Sequence, residues 1–281
     1  MMIMKNILIK KALLLLMVSS MLFISCYKKY DPKTYQPAFT VNGYTSSAAI
    51  GAGSLVGYWA FEGGYIDSVS KTVATGVNTG FTGGFKGQAL QGADKGYVIS
   101  DLPNALKNLN SFTIDYWLKT PNTSGIITPI TISRNDQFWG ALDMFYENGG
   151  RTDATANLKV HFNGQSEVWF TDGWISNPWS GWQNIALTYD APTSTFKLYQ
   201  NGNVVSSLTS AGLGNVVFPA SATKLIFGTA QFQTNPSLGT AGGTQSWAGY
   251  LTGQLDEVRV YNKALSASDL QALIVLQGKG K

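Results

Sequence analysis

The chain has 281 residues, a net charge of +4 from 20 basic and 16 acidic side chains, one histidine, one cysteine, 31 glycines and 12% aromatic residues. A lone cysteine excludes an internal disulfide framework, and one histidine beside it leaves too few ligands for a zinc site. Three lysines and no acid lie in residues 1–25, so the rest carries 17 basic against 16 acidic groups, a balance that gives nucleic acid no electrostatic footing.

Residues 1–25 begin with Lys5, Lys10 and Lys11 and continue as an apolar run from Ala12 to Ile24, broken only by Ser19 and Ser20. A basic start before a short apolar stretch is a secretory signal, and the run falls short of the roughly 20 residues that span a bilayer. The stretch "LFISC" ends on Cys26 and resembles the lipobox of bacterial lipoproteins. That resemblance implies an acylated Cys26 as the first mature residue and a protein anchored in the outer membrane by lipid alone, on its periplasmic face or at the cell surface. The other reading is an ordinary signal peptide with an incidental thiol. Residues 26–50 are polar and aperiodic and read as a tether. Residues 51–275 read as one domain, within the roughly 200–250 residues that a single sandwich occupies, and 276–281 as a tail.

Strand patterns fill the domain. In "SFTIDYWLK", Phe112, Ile114, Tyr116 and Leu118 alternate with Thr113, Asp115 and Trp117. Residues 55–61, 129–133, 141–146, 157–162, 183–189, 195–200, 224–228 and 255–261 read likewise. Asn201-Gly202 predicts a hairpin, because both central positions of a type I′ turn need positive φ. The one convincing helix is terminal, where Ser266 and Asp269 form a capping box before "LQALI". Many short strands and one short C-terminal helix predict an all-β fold, an antiparallel two-sheet jelly-roll sandwich.

Four segments together, "LVGYWAFEGG", "SFTIDYWLKT", "GWQNIALTYDAPTSTFKLYQNG" and "GQLDEVRVYNKALSASDL", resemble the laminin-G-like, concanavalin A-like lectin-glucanase jelly-roll domains of bacterial surface lipoproteins of the Bacteroidota type. The resemblance covers residues 51–275. It implies two stacked curved sheets, often a structural calcium, and carbohydrate or protein binding. In relatives, an acidic residue opening the last strand joins one near the first strand at the calcium. Those positions match Asp256 and Glu62, with Asp67 a further candidate; otherwise Asp256 caps a turn.

Hydrolases on this fold place two carboxylates on alternate residues of one strand, so that both face one way. No Glu precedes an Asp by two residues here, and Asp256 and Glu257 are adjacent, so alternation sends them to opposite faces. His161, in "LKVHFNG", lacks the strand–turn–helix context of a nucleophile elbow and reads as structural. The glycines of "GFTGGFKG" lead into a strand and not a helix, so they form no phosphate loop. The stretch 167–183 holds Trp169, Trp174, Trp179 and Trp182. Trp182 opens a strand and reads as core. Trp174 and Trp179 lie in a Gly/Ser/Asn/Pro-rich loop beside Asp172 and Asn177. There they either stack on a sugar, whose C–H face suits an indole, or fold back over the sheet. Residues 134–143, with Arg134, Asp136 and Trp139, are a second candidate edge. The sequence therefore predicts a module that binds a polysaccharide or glycan without cleaving it; the alternatives are a protein-binding adhesin or assembly subunit and, below that, a glycoside hydrolase.

Overall fold

A computed structural model describes residue 32 and residues 37–122, 125–147 and 154–281. The chain divides into a unit of residues 1–39, nearly all outside the described residues, and a unit of residues 40–281. Residues 1–25, where a signal is expected, and Cys26 lie outside the described residues.

The larger unit contains the strands β1 (Leu55–Trp59), β2 (Thr75–Val77), β3 (Gly80–Gly83), β4 (Gln88–Gln91), β5 (Tyr97–Asp101), β6 (Phe112–Lys119), β7 (Ile127–Ile132) and β8 (Leu142–Glu147). It continues with β9 (Thr155–Asn163), β10 (Glu167–Phe170), β11 (Trp174–Ser176), β12 (Gln183–Asp190), β13 (Thr195–Gln200), β14 (Asn203–Thr209), β15 (Lys224–Phe227) and β16 (Gln254–Tyr261), and ends in helix α1 (Ala267–Gly278). One sheet runs β14-β13-β12-β6-β16-β4-β3, with β1 beside β16. The other runs β10-β9-β8-β7-β15-β5-β2, with β11 beside β9. All pairings within the two sheets are antiparallel, as the sequence predicts for a jelly-roll sandwich.

Period-2 patterning builds the core between the sheets. Phe112, Ile114, Tyr116 and Leu118 of β6 meet Leu142, Met144 and Tyr146 of β8 and Leu158, Val160 and Phe162 of β9 there. The predicted Asn201-Gly202 turn is present, with φ of 50° and 77°.

The outer face of the first sheet is covered. Helix α1 lays Leu270, Leu273 and Leu276 against Ile50, Tyr199, Tyr261 and Leu265, so Thr113, Asp115 and Trp117 of β6 are buried rather than facing water. Its cap is as predicted: Asp269 N–H donates to Ser266 Oγ, and Asp269 Oδ2 accepts from Ser266 N–H. Two expected boundaries are corrected here. Residues 41–50 are part of the domain and not of a tether: Ile50 is buried in the helix cluster, Tyr44 Oη donates to Asp269 and Ser47 N–H to the Lys281 carbonyl. Leu276 and Gln277, assigned to a tail, are buried in the last turn of α1.

Alternation also fails in β16. A bulge between Asp256 and Arg259 interrupts its pairing with β6, and Glu257 takes a φ of 51°, a strained value for a non-glycine residue. Leu255 and Val258 both face the core, so Asp256 and Glu257 between them both leave by the outer face. They do not point to opposite sides. Both are buried nonetheless. Glu257 accepts from Tyr58 Oη at 2.5 Å, Arg259 Nη2 at 2.8 Å and Gln277 Nε2 at 3.0 Å. The pair is structural, and neither carboxylate reaches solvent. Among the described residues no helix is long and apolar enough to cross a membrane.

Candidate functional site

The outer face of the second sheet is only partly covered, and polar residues cross it in register. Thr131 of β7 pairs with Asp143 of β8, Asp143 with His161 of β9, and His161 with Trp169 of β10. Cross-strand partners share a face, so these four side chains form a row perpendicular to the strands. Thr131 Oγ1 donates to Asp143 Oδ1 at 2.9 Å. Asp143 Oδ2 lies 3.2 Å from His161 Nδ1, and His161 Nε2 lies 3.0 Å from Glu167 Oε1. Glu167 is two residues before Trp169 and so faces the same way; its Oε1 also accepts from Trp169 Nε1. The row is buried through His161 and opens to solvent at Glu167, whose side chain is 55% exposed.

Aromatic rings close over this row. Trp139 is half-buried, stacked on Phe145 at 5.1 Å between centroids, with Trp169 at 5.6 Å and Trp247 at 5.8 Å. Trp169 and Trp247 are 40% and 44% exposed. The His161 ring lies 4.1 Å from Trp169 and 5.9 Å from Trp139. Beneath them Phe145, Phe232, Ala230 and Ile126 form a small buried cluster. The loop carrying Trp139 is held by one buried side chain: Gln231 Oε1 accepts from Arg134 N–H, and its Nε2 donates to the carbonyls of Arg134, Gln137 and Phe138. Gly140 completes the approach, since a Cβ there would meet the Ile132 carbonyl oxygen at 2.5 Å.

The sequence-predicted site residues divide among three places. Trp139 is the hub of the ring cluster. Trp174, on β11 opposite Asn157, faces the same side as Lys159, His161 and Trp169 and is exposed, as is Asp172 just before it. Four residues of β9 separate its row from that of Trp169, or about 13 Å. Arg134 borders this surface with its donors engaged: its guanidinium donates to Asp136 and to the carbonyl and side chain of Asn163, the cross-strand partner of Glu167. Trp179 does not join Trp174. It packs against the core near Tyr146 and lines a separate cleft of about 370 Å³ with Lys119, Pro121 and Gln254. Asn177 borders a polar groove of about 390 Å³ with Ser180, Gln183 and Gln200. Trp182, expected in the core, is half-buried on the first sheet, edge-on to Phe85.

Trp247 and Glu167 were not singled out in the sequence. Trp247 stands in "GGTQSWAGY", where no period shows which way it faces. Glu167 was legible in part: the short connection from His161 to Trp169 makes a hairpin, and its parity puts Glu167, Trp169 and His161 on one face.

Two of the three carboxylates proposed for calcium converge. Glu62 Oε2 accepts from Gln88 N–H at 3.0 Å, and Asp256 Oδ2 from Lys86 N–H at 2.9 Å, so both hold the loop 84–88. Side chains at Gly84 and Gly87 would collide with these carboxylates. Burial pushes the Asp256 carboxyl up to about 7, and a cation beside it would reverse that shift. An oxygen-only set completed by loop carbonyls suits a hard cation. Among the described residues no group of three or more His, Cys, Asp or Glu is placed to hold a metal. Asp67 is elsewhere: Oδ1 accepts from Tyr58 and Val69 N–H, and Oδ2 from Ser70 N–H and Oγ, so it closes its own turn.

A family profile described as the concanavalin A-like lectin/glucanases superfamily matches residues 91–271. The chain belongs to that superfamily. Solved structures share this concanavalin A-like fold at low identity. The binding domain of Paraclostridial Mosquitocidal Protein 1 is 14% identical with a TM-score of 0.59, covering 80% of this chain and 52% of its own. A botulinum neurotoxin type C structure, from work tying cell entry to interaction with two ganglioside molecules, is 16% identical with a TM-score of 0.57, covering 83% and 53%. Domain 4 of AbnA, a GH43 extracellular arabinanase from Geobacillus stearothermophilus, in complex with arabinotriose, is 18% identical with a TM-score of 0.55, covering 78% and 98%. The chain spans about half the length of the two toxin structures. No curated protein sequence matches it.

Proposed function

We propose that this protein is a non-catalytic glycan-binding module, held to the outer membrane through an acylated Cys26, whose ligand lies across Trp139, Trp169 and Trp247. The observation that carries the reading is the pair of half-exposed indoles, Trp169 and Trp247, on either side of Trp139 and beside the exposed Glu167 carboxylate. An indole face takes the apolar C–H side of a sugar while nearby polar groups take its hydroxyls. Trp174 extends the same surface along β11, with Asp172 exposed two residues before it. Structural neighbours described with glycans, one in complex with arabinotriose and one whose cell entry depends on gangliosides, support the binding reading at the level of the fold.

Hydrolysis fits less well. A glycosidase needs two carboxylates that reach the substrate, whereas Asp143 is fully buried and engaged by Thr131 and His161. We also assign a structural calcium to Glu62 and Asp256 with the carbonyls of loop 84–88. A second reading, a protein-binding adhesin, draws on Ile66, Val69 and Val73, exposed apolar residues around one turn. A glycan array probed with residues 27–281 and with Trp169→Ala separates the two. Glycan signal lost in the variant supports the sugar face; a wild type that binds no glycan leaves the adhesin reading.

A further inference from the structure

Burying a carboxylate and an imidazole in a sheet face costs free energy unless each is bonded. Asp143 and His161 are both fully buried, at positions where β-branched residues would pack without that cost. What the row secures is its exposed end. Glu167 Oε1 is fixed by His161 and Trp169, while Oε2 takes no hydrogen bond from a described residue. Freezing a glutamate costs rotamer entropy, and here it is frozen before any ligand arrives, which is preorganisation.

We propose that Glu167 is the specificity-determining acceptor of the tryptophan face, that Asp143 and His161 are its positioning residues, and that the ligand is a glycan offering paired hydroxyls and no acid group. This rests on the glycan reading above. A carboxylate only accepts hydrogen bonds, so hydroxyl pairs satisfy it and an incoming carboxylate or sulfate does not. The neighbouring cations are already engaged: Lys159 pairs with Glu147, and Arg134 with Asp136. Asp172 adds further negative charge beside Trp174. An acidic sugar entering here loses hydration and gains no counter-charge.

The test is binding of residues 27–281 to immobilised mannan, xylan, arabinan and laminarin against polygalacturonate, alginate and heparin. The wild type binds at least one neutral polymer and none of the acidic ones. Glu167→Gln keeps its melting temperature and loses about tenfold in neutral affinity, the difference between a charged and a neutral acceptor. His161→Gln weakens binding in the wild-type background and adds no further loss to Glu167→Gln, a coupling that a merely structural role lacks. Equal binding of acidic polymers, or full neutral affinity in Glu167→Gln, overturns the inference. Trp169→Ala then separates the levels: if it abolishes binding, the glycan face stands and only the role of Glu167 falls. If it binds at full strength, or if the wild type binds no polymer, the face itself is wrong.

Discussion

The Trp169 indole N–H donates to Glu167 Oε1 across 3.2 Å, and the two side chains stand two residues apart on β10. Their shared face is a consequence of strand parity, so ring and carboxylate are presented together. Trp169→Ala and Trp247→Ala, both half-exposed, should keep the melting temperature and lose about thirtyfold in glycan affinity, the effect of removing a hot-spot aromatic of about 2 kcal/mol. Trp179→Ala should do the reverse, costing about 3 kcal/mol of stability as an aromatic truncated against the core, with affinity retained. Paired melts and binding isotherms check all three.

Glu257 and Arg259 form a buried ion pair at 2.8 Å beneath α1. Arg259→Met leaves the carboxylate buried without its cation, which costs about 3–5 kcal/mol. For a domain of this size the melting temperature should drop by roughly 6–20 °C. Glu257→Gln combined with Arg259→Met should recover part of the loss, because no lone charge remains. A double variant as unstable as the single one would show that packing, and not charge, holds this region.

Asp115, on the same covered face, has its carboxyl pushed up to about 7 by burial, with the Asn184 hydrogen bond and Arg259 opposing. The folded chain therefore keeps a proton that the unfolded chain releases near pH 4. This contribution is complete below about pH 4, falls as pH rises toward 7 and is lost above that. Stability in chelator should thus decline from pH 4.5 to 7. Asp115→Asn should flatten the decline, leaving the share of Asp256, which burial shifts the same way. Chemical denaturation at several pH values measures the slope.

Calcium at Glu62 and Asp256 should raise stability by mass action. With a dissociation constant of about 10⁻⁴ M and ~2 mM free ion, the gain is roughly 1.8 kcal/mol, or about 4–7 °C. Asp256→Asn should abolish the response to chelator. Asp67→Asn should lower the melting temperature equally with and without calcium, since its oxygens hold a turn. Wild-type protein that melts identically in chelator rules the ion out.

Acylation should depend on Cys26 alone. Cys26→Ala should accumulate as uncleaved or soluble protein that takes up no labelled fatty acid. Equal labelling of the variant would end the lipoprotein reading.

Local signals were legible in the sequence and long-range ones were not. The Ser266 and Asp269 cap and the Asn201-Gly202 turn depend on a few neighbouring residues, and both stand where expected. The facing of Asp256 and Glu257 depended on strict alternation, which a bulge at a glutamate with positive φ breaks. Residues 41–50 looked like a tether because their partners, Asp269 and Lys281, lie more than 200 positions away. Trp139 was found as a candidate, but what fixes its loop is Gln231, almost 100 residues downstream. Trp174 and Trp179 shared one polar loop in the sequence; β11 forms there, turning the first to the outer face, and the second packs inward.

Residues 41–50 pack with α1 on the outer side of the first sheet, whereas the tryptophans lie on the outer side of the second. The chain thus enters the domain at the back and displays its rings at the front, with two sheets about 10 Å apart between them. The face where residues 41–50 join the domain and the face that displays the rings are therefore different surfaces of one sandwich, and a molecule lying across the rings does not touch the segment by which the chain enters.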